Sequence, residues 1–238
     1  MTGAEIACII KTNGRFLVER GYRMTRKNNP KQAIENIITI SAKLFAEKGY
    51  DKTSMQDIAD AVGMSKGGIF HHFSSKEDIF NAVMERQFEQ ITETVKKWLD
   101  DMHGLTAKEK LRGLIRRNLM DEKIIKESGN MISSAAESPQ IILAFTQDNV
   151  KKLAPIIADV IREGIEDRSI STAFPNECAE VLLLLLNFWC DTDIFQGDFS
   201  TLQKRFRFLQ HLMRQLGVDI LEDEIINSIS DFYENSSV

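Results

Sequence analysis

Apolar residues recur three and four positions apart along almost all of this 238-residue chain, and no stretch alternates β-branched with polar residues. That spacing is the period of an α-helix, so the chain is confined to an all-α fold. Only Pro30, Pro139, Pro155 and Pro175 interrupt the pattern, three of them at apparent helix starts. Ile34, Ile37, Ile38, Leu44 and Phe45 make one stripe, which Gly49 closes as a helix C-cap. Beyond it the punctuation tightens. Ser54 with Asp57 has capping-box spacing and opens a short helix, Met55–Val62, that Gly63 breaks. Ser65 caps a second short helix. Ser74-Ser75 with Glu77 and Asp78 starts a longer one reaching about Asp101, and Gly104 and Thr106 mark the next break and cap. Further helices are expected at roughly 106–127, 129–137, 139–167, 175–190, 201–216 and 222–234, with Pro155 kinking or dividing the third segment named.

The two short helices carry the first functional signal. In the run Thr53–Phe73, the first helix buries Ile58, Ala59 and Val62, Gly63 supplies the positive φ of a tight turn, and Ser65 caps a second helix of about two turns. Such a helix enters a major groove by its N-terminal end, which needs small residues for close approach and donors for phosphate or base edges. Ser65, Lys66, Gly67 and Gly68 meet that need. Each glycine costs helix stability, roughly 1 kcal/mol relative to alanine, which a purely structural helix has little reason to accept.

Over Ile34–Met84 the chain resembles the DNA-binding domain of the TetR family. The features are Leu44-Phe45, Gly49-Tyr50, Thr53, Ile58-Ala59, Gly63, Ser65-Lys66-Gly67, Phe70, His72-Phe73 and Lys76-Glu77. The resemblance implies a three-helix DNA-binding head over 24–76 and a larger helical body for effector binding and dimerisation over 77–238. It implies that Thr53, Ser54, Lys66, Gly68, Phe70, His71 and Lys76 stand where family members touch DNA, Lys76 reaching a phosphate. Position 70 usually carries tyrosine in that family, and Phe70 has no hydroxyl to give. Residues 1–23 precede the resemblance. They are either an extension without a role or, with Arg26 and Lys27, a basic arm (Lys11, Arg15, Arg20, Arg23) for the minor groove.

Charge distribution agrees with this reading where net charge does not. The whole chain carries −5, yet residues 24–76 hold eight Lys/Arg against five Asp/Glu, and residues 77–238 hold 18 against 28. A basic head on an acidic body presents one face to phosphate. Cys8, Cys178 and Cys190 are scattered, which fits a reducing cytoplasm and neither a disulfide framework nor a zinc cluster. Adjacent His71 and His72 diverge by about 100° on a helix, so no metal site is expected there, and no cofactor elsewhere. The densest apolar stretch, Val181–Cys190, is too short to span a bilayer, and no basic segment precedes Ile6–Ile10 as in a secretory signal. The expected localisation is cytoplasmic.

In the body, Met120, Met131, Phe145, Asn187 and Trp189 are candidates to line an effector pocket, against the alternative that they are simply core, with Asn187 fixing helix register. Leu202, Phe206, Leu209, Met213 and Leu216 share one helix face and are the expected dimer interface. The function expected is a repressor that binds a near-palindromic operator as a homodimer and is released by a small-molecule effector. The alternatives are an all-helical enzyme acting on an apolar small molecule and a DNA-binding regulator without a ligand. Against the enzyme, only His103 and His211 lie outside the motif among the histidines, with no nucleophile beside either.

Overall fold

A computed structural model of the chain describes residues 30–120, 139–191 and 194–227, all helix, turn or loop with no strand among them. The helices are α1 (Pro30–Lys48), α2 (Met55–Val62), α3 (Lys66–Phe70), α4 (Lys76–Asp100), α5 (Ala107–Met120), α6 (Pro139–Asp148), α7 (Ala154–Glu166), α8 (Pro175–Leu184) and α9 (Phe199–Gln215). The expected arm at 1–23, the helix at 129–137, Met131 and the end of the 222–234 helix lie outside the described residues. Among the described residues no helix is long and apolar enough to cross a membrane.

The local signals act as the sequence implied. The Ser54 side chain accepts from the Asp57 N–H and Asp57 Oδ2 accepts from the Ser54 N–H at 2.8 Å, a complete capping box. Gly63 takes φ +75°, which lets the chain turn from α2 into α3 within three residues. Ser65 and Ser75 cap α3 and α4 through the N–H groups of Gly68 and Asp78. Thr106 and Glu109 pair across the start of α5.

The buried apolar side chains form one continuous cluster from Ile37 in the expected head to Ile226 in the expected body. Ile37, Phe45, Ile58, Ala59, Ile69, Ile79 and Phe80 close the core of the head. Three rings meet there, Phe45–Tyr50 at 5.3 Å, Phe45–Phe80 at 6.0 Å and Tyr50–Phe80 at 4.9 Å between centroids. Phe80 and Val83 belong to α4, so the first turns of α4 complete the head. Its later residues Phe88, Ile91 and Val95 are buried in the body. α4 thus carries the cluster from the head into the body.

The expected segment 139–167 is α6 and α7 joined by a π turn, Asn149–Leu153, which ends two residues before Pro155. Proline lacks the N–H that an α-ladder needs and its ring crowds the preceding turn, and widening that turn keeps the helix running. A second π turn, Leu185–Trp189, extends α8. The two wide turns face each other. Asn187 Nδ2 donates to Asn149 Oδ1 at 2.8 Å, and Asn149 Nδ2 donates to the Phe145 carbonyl at 2.8 Å, with both asparagines buried. A buried amide is costly unless hydrogen-bonded, and this pairing explains why Asn187 is tolerated inside an apolar run.

Candidate nucleic-acid interface

α3 is held to the head by one anchor, Ile69, which is fully buried. The residues around it turn outward: Lys66, Gly67, Phe70 and His71 are exposed, and Phe70 is 45% accessible. Lys66 Nζ lies 6.0 Å from the centre of the Phe70 ring, one helical turn away. A β-carbon added at Gly67 meets nothing within 4 Å. The protein itself therefore does not require glycine at 67. Gly68 differs, because its β-carbon lies 3.3 Å from both Met64 Cε and Ser65 Oγ, so its smallness is used inside the head.

Two residues expected to touch DNA make contacts inside the protein. Thr53 is 1% exposed and its hydroxyl donates to the Gly49 carbonyl at 2.8 Å, tying the α1–α2 corner. Its side chain is thereby withheld from a phosphate. Lys76 Nζ donates to the carbonyl of Tyr50 at 2.8 Å and reaches that of Asp51 at 3.5 Å, while standing 4.2 Å over the Tyr50 ring. The ammonium fastens the start of α4 to the turn that follows α1, a contact that residue spacing does not reveal. Ser54 stays exposed at the start of α2, its hydroxyl shared with Asp57. Hydrogen bonds from Lys48 and from Ser54 hold the Asp57 carboxyl well below the usual carboxylate range. These contacts make Lys76→Ala a stability variant: losing a charge-assisted bond to a carbonyl at a half-buried site costs about 1–2 kcal/mol. Its melting temperature is expected to fall by roughly 2–8 °C. An unchanged melt, with weaker DNA binding and a shallower salt dependence, would make Lys76 a phosphate ligand alone.

Of the candidate body residues, Phe145, Asn187 and Trp189 separate into two places. Phe145 lies between Phe88 of α4 (5.0 Å) and Phe188 (6.1 Å), beside the Asn149–Asn187 pair. Trp189 faces the other way and meets Phe208 edge-on at 5.6 Å, with the Arg205 guanidinium 5.8 Å from its ring. Met131 and the side chain of Met120 lie outside what is described. Burial pushes the Cys190 thiol up to about 12, so it is protonated and unreactive.

The expected dimer face needs correction. Leu202, Phe206, Leu209 and Met213 are at most 1% exposed within a single protomer. The apolar stripe of α9 packs on its own body, and Leu216, half-buried at the helix end, packs against that same core. The outward face of α9 carries Lys204, Arg207, Phe208 and His211, with Phe208 54% exposed.

Spacing did not reveal the two tethers on α4. Arg86 NH1 bonds Thr39 Oγ1 at 2.8 Å and Glu35 Oε2 at 3.2 Å on α1, while the adjacent Glu85 pairs with Lys152 in the first π turn. Lys152 also reaches Asp148 at 3.3 Å. Burial alone would lower the Lys152 pKa, but the bond to Glu85 and the charge of Asp148 outweigh it and raise it. These partners lie far apart in the chain, and no local pattern announces such contacts.

A short capped helix, exposed around a glycine and joined to a second helix by a left-handed turn, is the helix-turn-helix of a DNA-binding protein. Comparison with known proteins gives the family. Residues 37–83 match bacterial regulatory proteins of the tetR family, and residues 132–210 match the Tetracyclin repressor-like C-terminal domain. The chain is 33% identical over 188 residues to IcaR, the negative transcriptional regulator of the biofilm operon icaADBC in Staphylococcus epidermidis, covering 78% of this chain and 95% of IcaR. It is 31% identical over 117 residues to the transcriptional repressor KstR2 of Rhodococcus jostii, covering 49% of this chain and spanning only 50% of KstR2. In fold it resembles a TetR-family regulator from Mesorhizobium loti, with a TM-score of 0.55 and 22% identity over 85% of this chain and 97% of that one. A transcriptional regulator from Cytophaga hutchinsonii has a TM-score of 0.54 and 24% identity over 82% of this chain and all of the other. The chain belongs to the TetR family of transcriptional regulators.

Proposed function

We propose that the protein is a repressor that binds a near-palindromic operator as a homodimer, reads it with α3, and is released when a small molecule occupies the body. The observation that carries the reading is the exposed face of α3, where Gly67 opens space that the protein leaves unused. IcaR, a negative transcriptional regulator by name, supports repression as the direction of control. The domain division follows the same logic, with a DNA-binding head ending inside α4 and a body beyond it. Cytoplasmic residence follows from the operator as target. Duplexes protected by the purified protein within the DNA flanking its gene are expected to hold an inverted repeat. Protection of no particular sequence contradicts the reading.

The dimer is proposed to form through the outward side of α9, where the exposed Phe208 ring adjoins Trp189. Burying an aromatic ring is worth roughly 1.5–3 kcal/mol and counts twice across a two-fold axis. Phe208→Glu is therefore expected to raise the dimer dissociation constant by about a hundredfold or more, with an unchanged thermal melt of the protomer. Sedimentation of an intact dimer at low concentration would move the interface elsewhere.

Release is proposed to run through α4. The helix is completed by Phe80 in the head and by Phe88 in the body, and Arg86 and Glu85 bind it to α1 and to the first π turn. An effector that shifts the aromatic and asparagine cluster around Phe145 would move α4, and with it the separation of the two reading helices.

A further inference from the structure

We infer that Phe70 reads the C5-methyl group of a thymine in each half-site. This rests on the DNA-binding reading above and adds to it the base that the exposed ring selects. Phe70 directly follows the buried anchor Ile69, so it points about 100° away from the core, and it is 45% exposed. Gly67 lies one turn before it on the same side, with open space where a side chain would stand. Lys66 borders the same opening, its ammonium 6.0 Å from the ring centre. Lys66, Gly67 and Phe70 thus share the outward side of α3, the ring flanked by the Lys66 ammonium and by backbone left open at Gly67. A phenyl ring neither donates nor accepts a conventional hydrogen bond, so it gains nothing specific from the polar edges of guanine, adenine or cytosine. The thymine methyl is the apolar group that the major groove offers. A contact with deoxyribose would use the same ring but carry no sequence information.

Replacing thymine by deoxyuridine removes that methyl and nothing else. Duplexes are first selected from a randomised pool with the full chain, and each thymine of the selected site is then replaced in turn. Deoxyuridine at one thymine per half-site is expected to weaken binding by the parent protein about fourfold, the value of one buried methyl group, and by more when both half-sites are changed. Phe70→Ala, with the same thermal melt as the parent, is expected to bind both duplexes within twofold of each other. Phe70→Leu is expected to regain part of the discrimination. Indifference of the parent protein to deoxyuridine at every position overturns the inference, as does a selected site without thymine. Equal sensitivity in the parent and in Phe70→Ala assigns the methyl to another residue and overturns it too. A pool that yields no preferred duplex refutes the DNA-binding reading itself, a result distinct from each of these.

Discussion

A Leu209→Glu, Met213→Glu double variant is expected to lose the cooperative fold of the body, not to yield folded monomers. Both side chains are 0% exposed within one protomer, packed among core residues that include Leu202 and Phe206. Each change removes a large apolar group and places a carboxyl where water cannot reach it. The cavity and lost transfer energy cost about 2–5 kcal/mol per site, before any penalty for the buried carboxyl. Two such sites approach the whole stability of an ordinary domain, about 5–15 kcal/mol. Circular dichroism and a thermal melt are expected to show a protein that is unfolded or lacks a sharp transition. A double variant that melts like the parent and sediments as a monomer would restore this stripe to the dimer surface. Set beside Phe208→Glu on the opposite face of the same helix, the pair separates folding from assembly.

Gly67→Leu is expected to abolish specific operator binding while leaving the free protein as stable as the parent or slightly more so. A β-carbon at 67 enters open space, and leucine improves on glycine in a helix by roughly 0.8–1 kcal/mol. In the complex the same side chain stands beside Phe70 on the outward side of α3, where a base edge must come close. Specific affinity should fall by about a hundredfold or more, and the salt-sensitive association with arbitrary DNA should persist. Gly68→Leu is a poorer test. Its β-carbon presses on Met64 and on Ser65 Oγ at 3.3 Å, the same hydroxyl that caps α3. Loss of binding there would mix damage to the head with a clash in the groove.

What the sequence revealed was what its neighbours decide. Ser54 with Asp57, Gly63, Ser65 and Ser75 act over three residues, and each occupies the cap or turn that its chemistry implies. The apolar period located the helices for the same reason. The stripe on α9 was legible as a buried face, but an amphipathic pattern says only that a face is covered. It does not say whether the cover is the same chain or a second copy, and here it is the same chain. The internal contacts of Thr53 and Lys76 were not legible because their partners, the carbonyls of Gly49 and Tyr50, are backbone atoms that no side-chain pattern marks. The π turns and the Asn149–Asn187 pair depend on two segments meeting 38 residues apart, which periodicity cannot encode.

The central claim is that α3 reads DNA with the face around Gly67. Its most direct test is one fluorescence-anisotropy titration of a protected duplex from the DNA flanking the gene, alongside a scrambled duplex of equal composition, with parent protein and Gly67→Leu. The account predicts that the parent prefers the protected duplex by orders of magnitude, whereas Gly67→Leu, equally stable, binds both duplexes with the same weak, salt-sensitive affinity. If Gly67→Leu retained the parent's preference, α3 would not be the reading helix and the account would be contradicted.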